Sequence, residues 1–295
     1  EKNLTNGFSK LLIFPRNFAS GRRLRADLAR LGGNMLKQEN YQRMTIDRRD
    51  NGVVVVTLNR PEKMNAIDNR MHHEMMTFSR DFDDDPDLRV LVLAGAGEAF
   101  CVGGDFSADT GIDMPSLAEG RRIVDHMLEC EKPIISAVQG YALGLGANLA
   151  LLCDIVVAGP DAKFGDTHVK MGLGAGDGGQ VIWPFLIGVN RAKYHLMTGE
   201  MVSGKDAYEM GLAGFYADTS AGVLEKALEI ADKLAEGAPL AIAASKVGIN
   251  AFLRQVAAAV MPISLQAEGL SMRSQDFKEA VAAFQEKRKP NFKGK

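Results

Sequence analysis

The sequence predicts an α/β fold with largely parallel strands, followed by a helical C-terminal region. Two observations carry this. Apolar, β-branched runs at Val53-Val-Val-Val-Thr-Leu58, Val90-Leu-Val-Leu-Ala94, Pro133-Ile-Ile-Ser-Ala-Val138 and Asp154-Ile-Val-Val-Ala158 have the length and composition of buried strands. Helix-forming stretches alternate with them, and from Ala221 onward the sequence is almost wholly helical. Alternation of strand and helix implies parallel pairing, and the helical end implies an appended α region.

In chain order, the first strand is 53–58, and Asn59-Arg-Pro-Glu-Lys-Met-Asn65 follows as an irregular connection. Residues 69–82 read as one helix, with Met71, Met75, Phe78 and Phe82 on one apolar face. Asp83-Asp-Asp-Pro-Asp87 lacks the liganding pattern of a calcium loop and reads as a solvated turn. The strand at 90–94 enters Gly95-Ala-Gly-Glu-Ala-Phe-Cys-Val-Gly-Gly-Asp105, and 116–131 reads as a helix. The strand at 133–138 leads into Gln139-Gly-Tyr-Ala-Leu-Gly-Leu-Gly146, after which Ala147 to Leu152 is helix-forming. A strand at 154–158, a glycine-dense loop at 172–179, short helices in 180–198 and 205–211 and a last strand at 214–217 complete the core. We divide the chain into a basic extension (1–40), a core (41–230) and a helical C-terminal region (231–295).

An apolar share of 46% with 24% charged residues suits a globular domain with a sizeable core. A formal net charge of -2 gives no reason to expect nucleic acid as the main partner. Cys101, Cys130 and Cys153 form no CxxC pair, so a reducing compartment is expected. Charges or glycines interrupt every apolar run, so no membrane span is expected. Before Met35 stand Lys2, Lys10, Arg16, Arg22, Arg23, Arg25 and Arg30 against Glu1 and Asp27, with Leu24, Leu28 and Leu31 at helical spacing. That stretch is either a transit peptide, which would send the protein to the mitochondrial matrix, or a leader ahead of a cytoplasmic protein.

The glycine motif Gly140-x-x-x-Gly144-x-Gly146 admits two readings. Its spacing matches the short-chain dehydrogenases, with a pyrophosphate on the helix start. Against this, it lies mid-chain, no Tyr-x-x-x-Lys pair follows, and Leu149 stands where a dinucleotide fingerprint wants Gly or Ala. The other reading joins it to Phe100-Cys-Val-Gly-Gly-Asp105, so that one backbone N–H from each loop forms an oxyanion hole for a polarised acyl oxygen. Two ordinary strand–helix turns would leave the same pattern.

Longer motifs decide between them. Leu58-Asn-Arg-Pro-Glu-Lys-Met-Asn-Ala66, Ala99-Phe-Cys-Val-Gly-Gly-Asp105, Lys132-Pro-Ile-Ile-Ser-Ala-Val-Gln-Gly-Tyr-Ala-Leu-Gly144, Arg191-Ala-Lys-Tyr-His-Leu-Met-Thr-Gly-Glu-Met-Val-Ser-Gly204 and Ala283-Phe-Gln-Glu-Lys-Arg-Lys-Pro290 resemble the crotonase (enoyl-CoA hydratase/isomerase) superfamily. The likeness runs from about Tyr41 to Phe292. It implies a spiral of ββα units whose helical C-terminal region trimerises, as homotrimers or dimers of trimers. It implies an acyl-CoA substrate, with coenzyme A as part of that substrate and no separate cofactor or metal. The thioester oxygen would be held by the N–H groups of Gly104 and Leu145, aided by the helix dipole. The CoA would lie near Lys63, Asn65, Ala66 and the backbone of Asp105 and Phe106, with Lys287 reaching its phosphates.

The chain departs from the hydratases at their two catalytic glutamates. One position is Asn148, in the first turn of the glycine-led helix; the other is His168. An amide cannot take a proton, so Asn148 is expected to orient water or substrate, whereas His168 can act as general acid or base. Asp177 and Asp166 are further catalytic candidates. His72, His73, His126 and His195 are expected to be structural, since adjacent His72 and His73 on a helix point to different faces and make no metal site. Cys101 and Cys153 are expected to pack. The resulting expectation is an enoyl-CoA hydratase or isomerase acting through a thioester enolate. The alternatives are hydrolysis of a thioester or β-keto C–C bond, and a silent CoA-binding scaffold.

Overall fold

The computed structural model describes residues 35–107 and 117–295. The basic stretch before Met35 and the predicted helix start at Ser116 lie outside the described residues. Six strands form the main sheet: β1 (Met44–Arg48), β2 (Val53–Leu58), β3 (Val90–Gly95), β4 (Ile134–Val138), β6 (Ile155–Ala158) and β9 (Phe215–Tyr216). Only β1–β2 is antiparallel; the other pairings are parallel, as the alternation of strand and helix predicts. A smaller sheet joins β5 (Tyr141–Leu143), β7 (Lys163–Gly165) and β8 (Val202–Ser203).

The main sheet is covered on both faces, which is why its strands read as continuous apolar runs. Val54, Val56, Leu91 and Leu93 face one cluster, and Val53, Val55, Val90 and Val92 face the other. Ten helices follow in the described residues: α1 (Asn69–Met75), α2 (Phe78–Asp84), α3 (Leu117–Glu129), α4 (Leu145–Leu151), α5 (Gly179–Ile187), α6 (Val189–Thr198), α7 (Gly204–Met210), α8 (Gly222–Ala235), α9 (Pro239–Ser271) and α10 (Gln275–Gln285). Val223, Ala227, Ala231 and Ala235 press α8 onto the second face, and small side chains at this spacing let helix and sheet approach closely. The boundary drawn at 230/231 therefore falls inside α8, an integral part of the core.

Three expectations change. The helix expected over 69–82 is broken at Met76–Thr77, where the Thr77 hydroxyl and N–H both donate to the Glu74 carbonyl (3.2 and 3.1 Å), diverting it from the helical ladder. The acidic run is no solvated turn: Asp85 is fully buried against Arg48 (2.6 Å), and Asp83 accepts the N–H groups of Glu131 and Lys132. Finally, the 33-residue α9 is long and apolar enough to cross a membrane, with a mean hydropathy of 1.3 over its most apolar window. Three of its polar side chains are engaged within the protein. Lys246 reaches Asp154 (2.7 Å), Asn250 donates to the Leu128 carbonyl (3.0 Å), and Ser264 donates to the Gly176 carbonyl (3.0 Å).

Candidate active site

The two glycine loops meet as the oxyanion reading requires. Cys101 N–H donates to the Tyr141 carbonyl (2.9 Å) and Leu143 N–H to the Cys101 carbonyl (2.8 Å), lacing one loop to the other. Gly144, at φ 54° and ψ -129°, then turns the chain into α4. The positive φ at Gly144 suits glycine, and the His168 imidazole packs beside it, its Cε1 3.6 Å from where a Cβ would stand, an ordinary contact distance. Beyond this lacing, the N–H groups of Gly104 and Leu145 donate to no acceptor among the described residues. Both remain free for a ligand oxygen.

Beside them, Asp166, His168, Asp177 and Asn148 close a ring of hydrogen bonds. His168 Nδ1 bonds Asp166 Oδ1 at 2.5 Å and its Nε2 lies 3.0 Å from Asp177 Oδ2. Asn148 Nδ2 donates to the other oxygens of the same two carboxylates, Asp166 Oδ2 at 3.1 Å and Asp177 Oδ1 at 2.7 Å. Trp183 Nε1 donates to Asn148 Oδ1 at 3.0 Å. β7 ends at Gly165 and delivers Asp166 and His168 to this point; the glycine loop delivers Asp177, and Gly179 leaves room for the Asp166 carboxylate where a Cβ would collide.

Electrostatics follow from the ring. Burial pulls the His168 pKa down, but Asp177 and Asp166 outweigh it and lift the pKa well above 6.5, making the ring an imidazolium at neutral pH. Burial pushes Asp177 up, but His168 and the Asn148 amide outweigh that and hold its pKa below the usual carboxylate range. Although donor atoms of Asp166, His168 and Asp177 lie within 4.8 Å of one another, the imidazole stands between the carboxylates with one nitrogen on each. In this arrangement both ring nitrogens of His168 are taken up by carboxylate oxygens.

Asn148 differs from expectation. It is fully buried, its amide N–H groups go to the two aspartates, and its oxygen takes the indole N–H. Its geometry ties the carboxylates together and leaves no donor for a water or substrate.

The sequence reading missed Glu268. From α9 it reaches the same glycine loop, where a Cβ at Gly176 would collide with its carboxyl group. It is 5% exposed and has no hydrogen-bond or ion-pair partner among the described residues. Burial, then the negative charge of Asp177, raise its pKa to about 8 despite His168. A signal was present: with Met261 and Leu265, Glu268 lies on the buried stripe of α9, where a lone carboxyl is out of place.

The other expected residues fall into two groups. Gln285 Nε2 donates to the Phe106 carbonyl (3.3 Å) and Phe277 meets the Phe106 ring edge-on, so α10 brings exposed Lys287 toward the Phe106 loop. Lys63 is exposed on the turn Pro61–Lys63. Asn65, by contrast, is wholly buried; its side chain accepts from Arg60 N–H and donates to the carbonyls of Ala96, Ala99 and Phe100, so only its backbone can meet a ligand. The carbonyl of Ala66 accepts from the Arg60 guanidinium, and Asp105 pairs with it at 3.1 Å while its N–H is held by the Ile67 carbonyl. Burial pushes the Cys101 thiol up to about 12 and the Cys153 thiol up as well, in keeping with packing roles. His126 and His195 bond backbone carbonyls.

Residues 48–295 match the family described as enoyl-CoA hydratase/isomerase. The chain belongs to this family. Among its relatives is (E)-benzylidenesuccinyl-CoA hydratase of Thauera aromatica, 37% identical over 83% of this chain and 96% of the relative. An enoyl-CoA hydratase/isomerase structure from Mycobacterium paratuberculosis superposes with a TM-score of 0.76 at 34% identity, covering 81% of this chain and 97% of that one. A β-diketone hydrolase from the cyanobacterium Anabaena, bound to (S)-3-oxocyclohexyl acetic acid, superposes with a TM-score of 0.73 at 28% identity over 79% and 95%. The fold is thus that of the crotonase superfamily, and the chain is an acyl-CoA-processing enzyme of that kind.

Proposed function

We propose that the chain adds water across the α,β double bond of an enoyl-CoA, with Asp177 and Glu268 in place of the usual two glutamates. The observation that carries this is a pair of carboxyl groups at one loop with opposite protonation: Asp177 held ionised by His168, Glu268 held neutral by burial. The thioester oxygen lies between the N–H groups of Gly104 and Leu145. Asp177 takes a proton from water as the oxygen adds to the β-carbon, and the enolate is held in the oxyanion pair. Glu268 gives its proton to the α-carbon, and proton return from Asp177 to Glu268 through solvent restores the site. His168 orients Asp177 and keeps it ionised, and Asn148 fixes the spacing of the two aspartates. Lys63, Lys287 and the backbone near Asn65, Ala66, Asp105 and Phe106 hold the CoA.

A second reading is hydrolysis of a β-keto C–C bond. The His168–Asp177 pair and the likeness to the β-diketone hydrolase favour it. Water would add to the ketone, and the enolate released would occupy the same oxyanion pair. Incubation with but-2-enoyl-CoA and acetoacetyl-CoA, followed by mass analysis, separates the readings. Gain of one water supports hydration, acetyl-CoA plus acetate supports C–C cleavage, free CoA from either supports thioester hydrolysis, and binding without turnover supports a scaffold.

We also read the exposed apolar residues Phe185, Val189, Ile249 and Phe252 as the face on which copies of the chain form trimers. Light scattering at a trimer mass, lost in Phe252→Asp, is the expected result.

A further inference from the structure

Arg60 is 8% exposed although the turn that follows it, Pro61–Lys63, lies in solvent. Burying a guanidinium is costly unless its N–H groups find acceptors. Here its three nitrogens face three separate partners. Nη1 donates to the Ala66 carbonyl, Nη2 lies 3.1 Å from Asp105 Oδ2, and Nε lies 3.5 Å from Asp68 Oδ2. The backbone of Arg60 is held as well: its N–H donates to Asn65 Oδ1 (2.8 Å) and its carbonyl accepts Asn65 N–H (2.9 Å).

Those partners flank the strand pairing that presents Gly104. Ile67 N–H donates to the Gly103 carbonyl (2.8 Å) and Asp105 N–H to the Ile67 carbonyl (3.0 Å), which makes Ile67–Gly104 a parallel bridge. In such a bridge the neighbours of the central residue turn their backbone groups to the partner strand, and the central residue turns its own away. The free N–H of Gly104 therefore faces away from Ile67. On that other side runs the second loop, where a Cβ at Gly103 would stand 2.9 Å from the Leu143 carbonyl. Ala66 and Asp68 bracket Ile67 on one strand, and Asp105 follows Gly104 on the other, so the Arg60 fork spans the bridge.

We propose that Arg60 is a positioning residue: by tying Ala66 to Asp105 it fixes the Ile67–Gly104 bridge and so aims the Gly104 N–H at the thioester oxygen. This rests on the reading of that N–H as an oxyanion donor but not on which reaction follows.

The test is infrared difference spectroscopy of the full chain with hexanoyl-CoA carrying 13C at its carbonyl. That thioester has no α,β double bond or β-ketone, so neither proposed reaction consumes it. Donors that polarise the oxygen lower the carbonyl stretch, and a merely structural residue leaves the stretch of the bound thioester where it was. The wild type is expected to lower it on binding, and Arg60→Met to lose most of that shift. With whichever of but-2-enoyl-CoA and acetoacetyl-CoA is turned over, kcat is expected to fall about 10²-fold, the scale of a small misplacement of a reacting group, with little change in KM. Arg60→Met leaves Asp105 without its cation, so Arg60→Met/Asp105→Asn, which removes both charges, is expected to fold and to lack the shift too. Arg60→Lys offers one ammonium in place of a fork and is expected to recover only part of it. A full shift in any of these variants once folded would overturn the proposal, as would a raised KM with kcat and stretch unchanged, which would make Arg60 a support for the CoA alone. A stretch that does not move on binding to the wild type would sink the oxyanion pair itself, whereas a wild-type shift kept in the variants sinks only the role of Arg60.

Discussion

The indole N–H of Trp183 donates to the side-chain oxygen of Asn148, and that bond decides which way the amide faces. With the oxygen held, the NH2 group points at Asp166 and Asp177; flipped, it would present an oxygen to two carboxylates. Trp183→Phe keeps most of the packing and removes the donor. We expect a loss of about 1–3 kcal/mol of stability from the unpaired buried oxygen. We also expect kcat for but-2-enoyl-CoA to fall at least tenfold with little change in KM, because the bond serves the catalytic ring and not the CoA. Stopped-assay kinetics beside urea unfolding check both; a KM effect alone would place Trp183 outside the catalytic network.

Gly144 supplies the second prediction. At φ 54° and ψ -129° it occupies backbone space that side chains rarely adopt, and its missing Cβ faces His168. Gly144→Ala should misplace the Leu145 N–H through backbone strain, because its Cβ would meet the imidazole only at ordinary contact distance. Losing one oxyanion donor lowers kcat by about 10²–10³-fold. The expected signature is that loss with CoA affinity retained, measured by competition with a non-hydrolysable CoA thioether.

Most of this frame was legible in the sequence. The strands at 53–58, 90–94, 133–138 and 154–158 announced themselves because burial on both faces demands unbroken apolar runs. Both oxyanion loops were legible because close backbone approach demands glycine. The partners of His168 were less so. Asp166 and Asp177 could be named as candidates, but their closure into a ring through Asn148 depends on β7 and the glycine loop meeting in space. Glu268 was missed for a related reason. It lies 91 residues beyond Asp177, and only the fold brings α9 against the glycine loop.

Glu268 makes the pH dependence specific. Its unfolded value is near 4.5 and its folded value about 8, so across that window the folded chain keeps a proton the unfolded chain has released. Unfolding free energy should therefore fall as pH rises from about 4.5 to 8 through this group. Glu268→Gln should flatten that part of the profile and gain most, relative to the wild type, at the alkaline end. In kinetics, hydration needs the acid form, so kcat/KM should decline above about 8, and the variant should lose turnover while still binding thioester. A stability slope that is the same in both chains would mean that Glu268 is already ionised in the fold.

The last prediction concerns how α9, which carries Glu268, is held. Lys246 lies on this helix and reaches both Asp154 Oδ2 (2.7 Å) and the Lys132 carbonyl (2.8 Å), while the same carboxylate oxygen accepts Ile134 N–H (2.7 Å). Burial already raises the Asp154 pKa against the opposing pull of Lys246. Lys246→Met should therefore leave a carboxyl that keeps its proton when folded and loses it when unfolded. That state is most stable at low pH and loses stability as pH rises through the folded pKa. We expect a cost of about 1–3 kcal/mol at neutral pH, because Lys246 is largely buried while the Asp154 carboxylate keeps part of its surface in solvent. The deficit should shrink toward pH 4. Adding Asp154→Asn should recover part of the loss, because an amide needs no counter-charge, and thermal unfolding of the two variants at neutral and acidic pH measures it. A Lys246→Met chain equally destabilised at both pH values would show that Lys246 acts through its carbonyl contact and packing, with the charge on Asp154 contributing nothing.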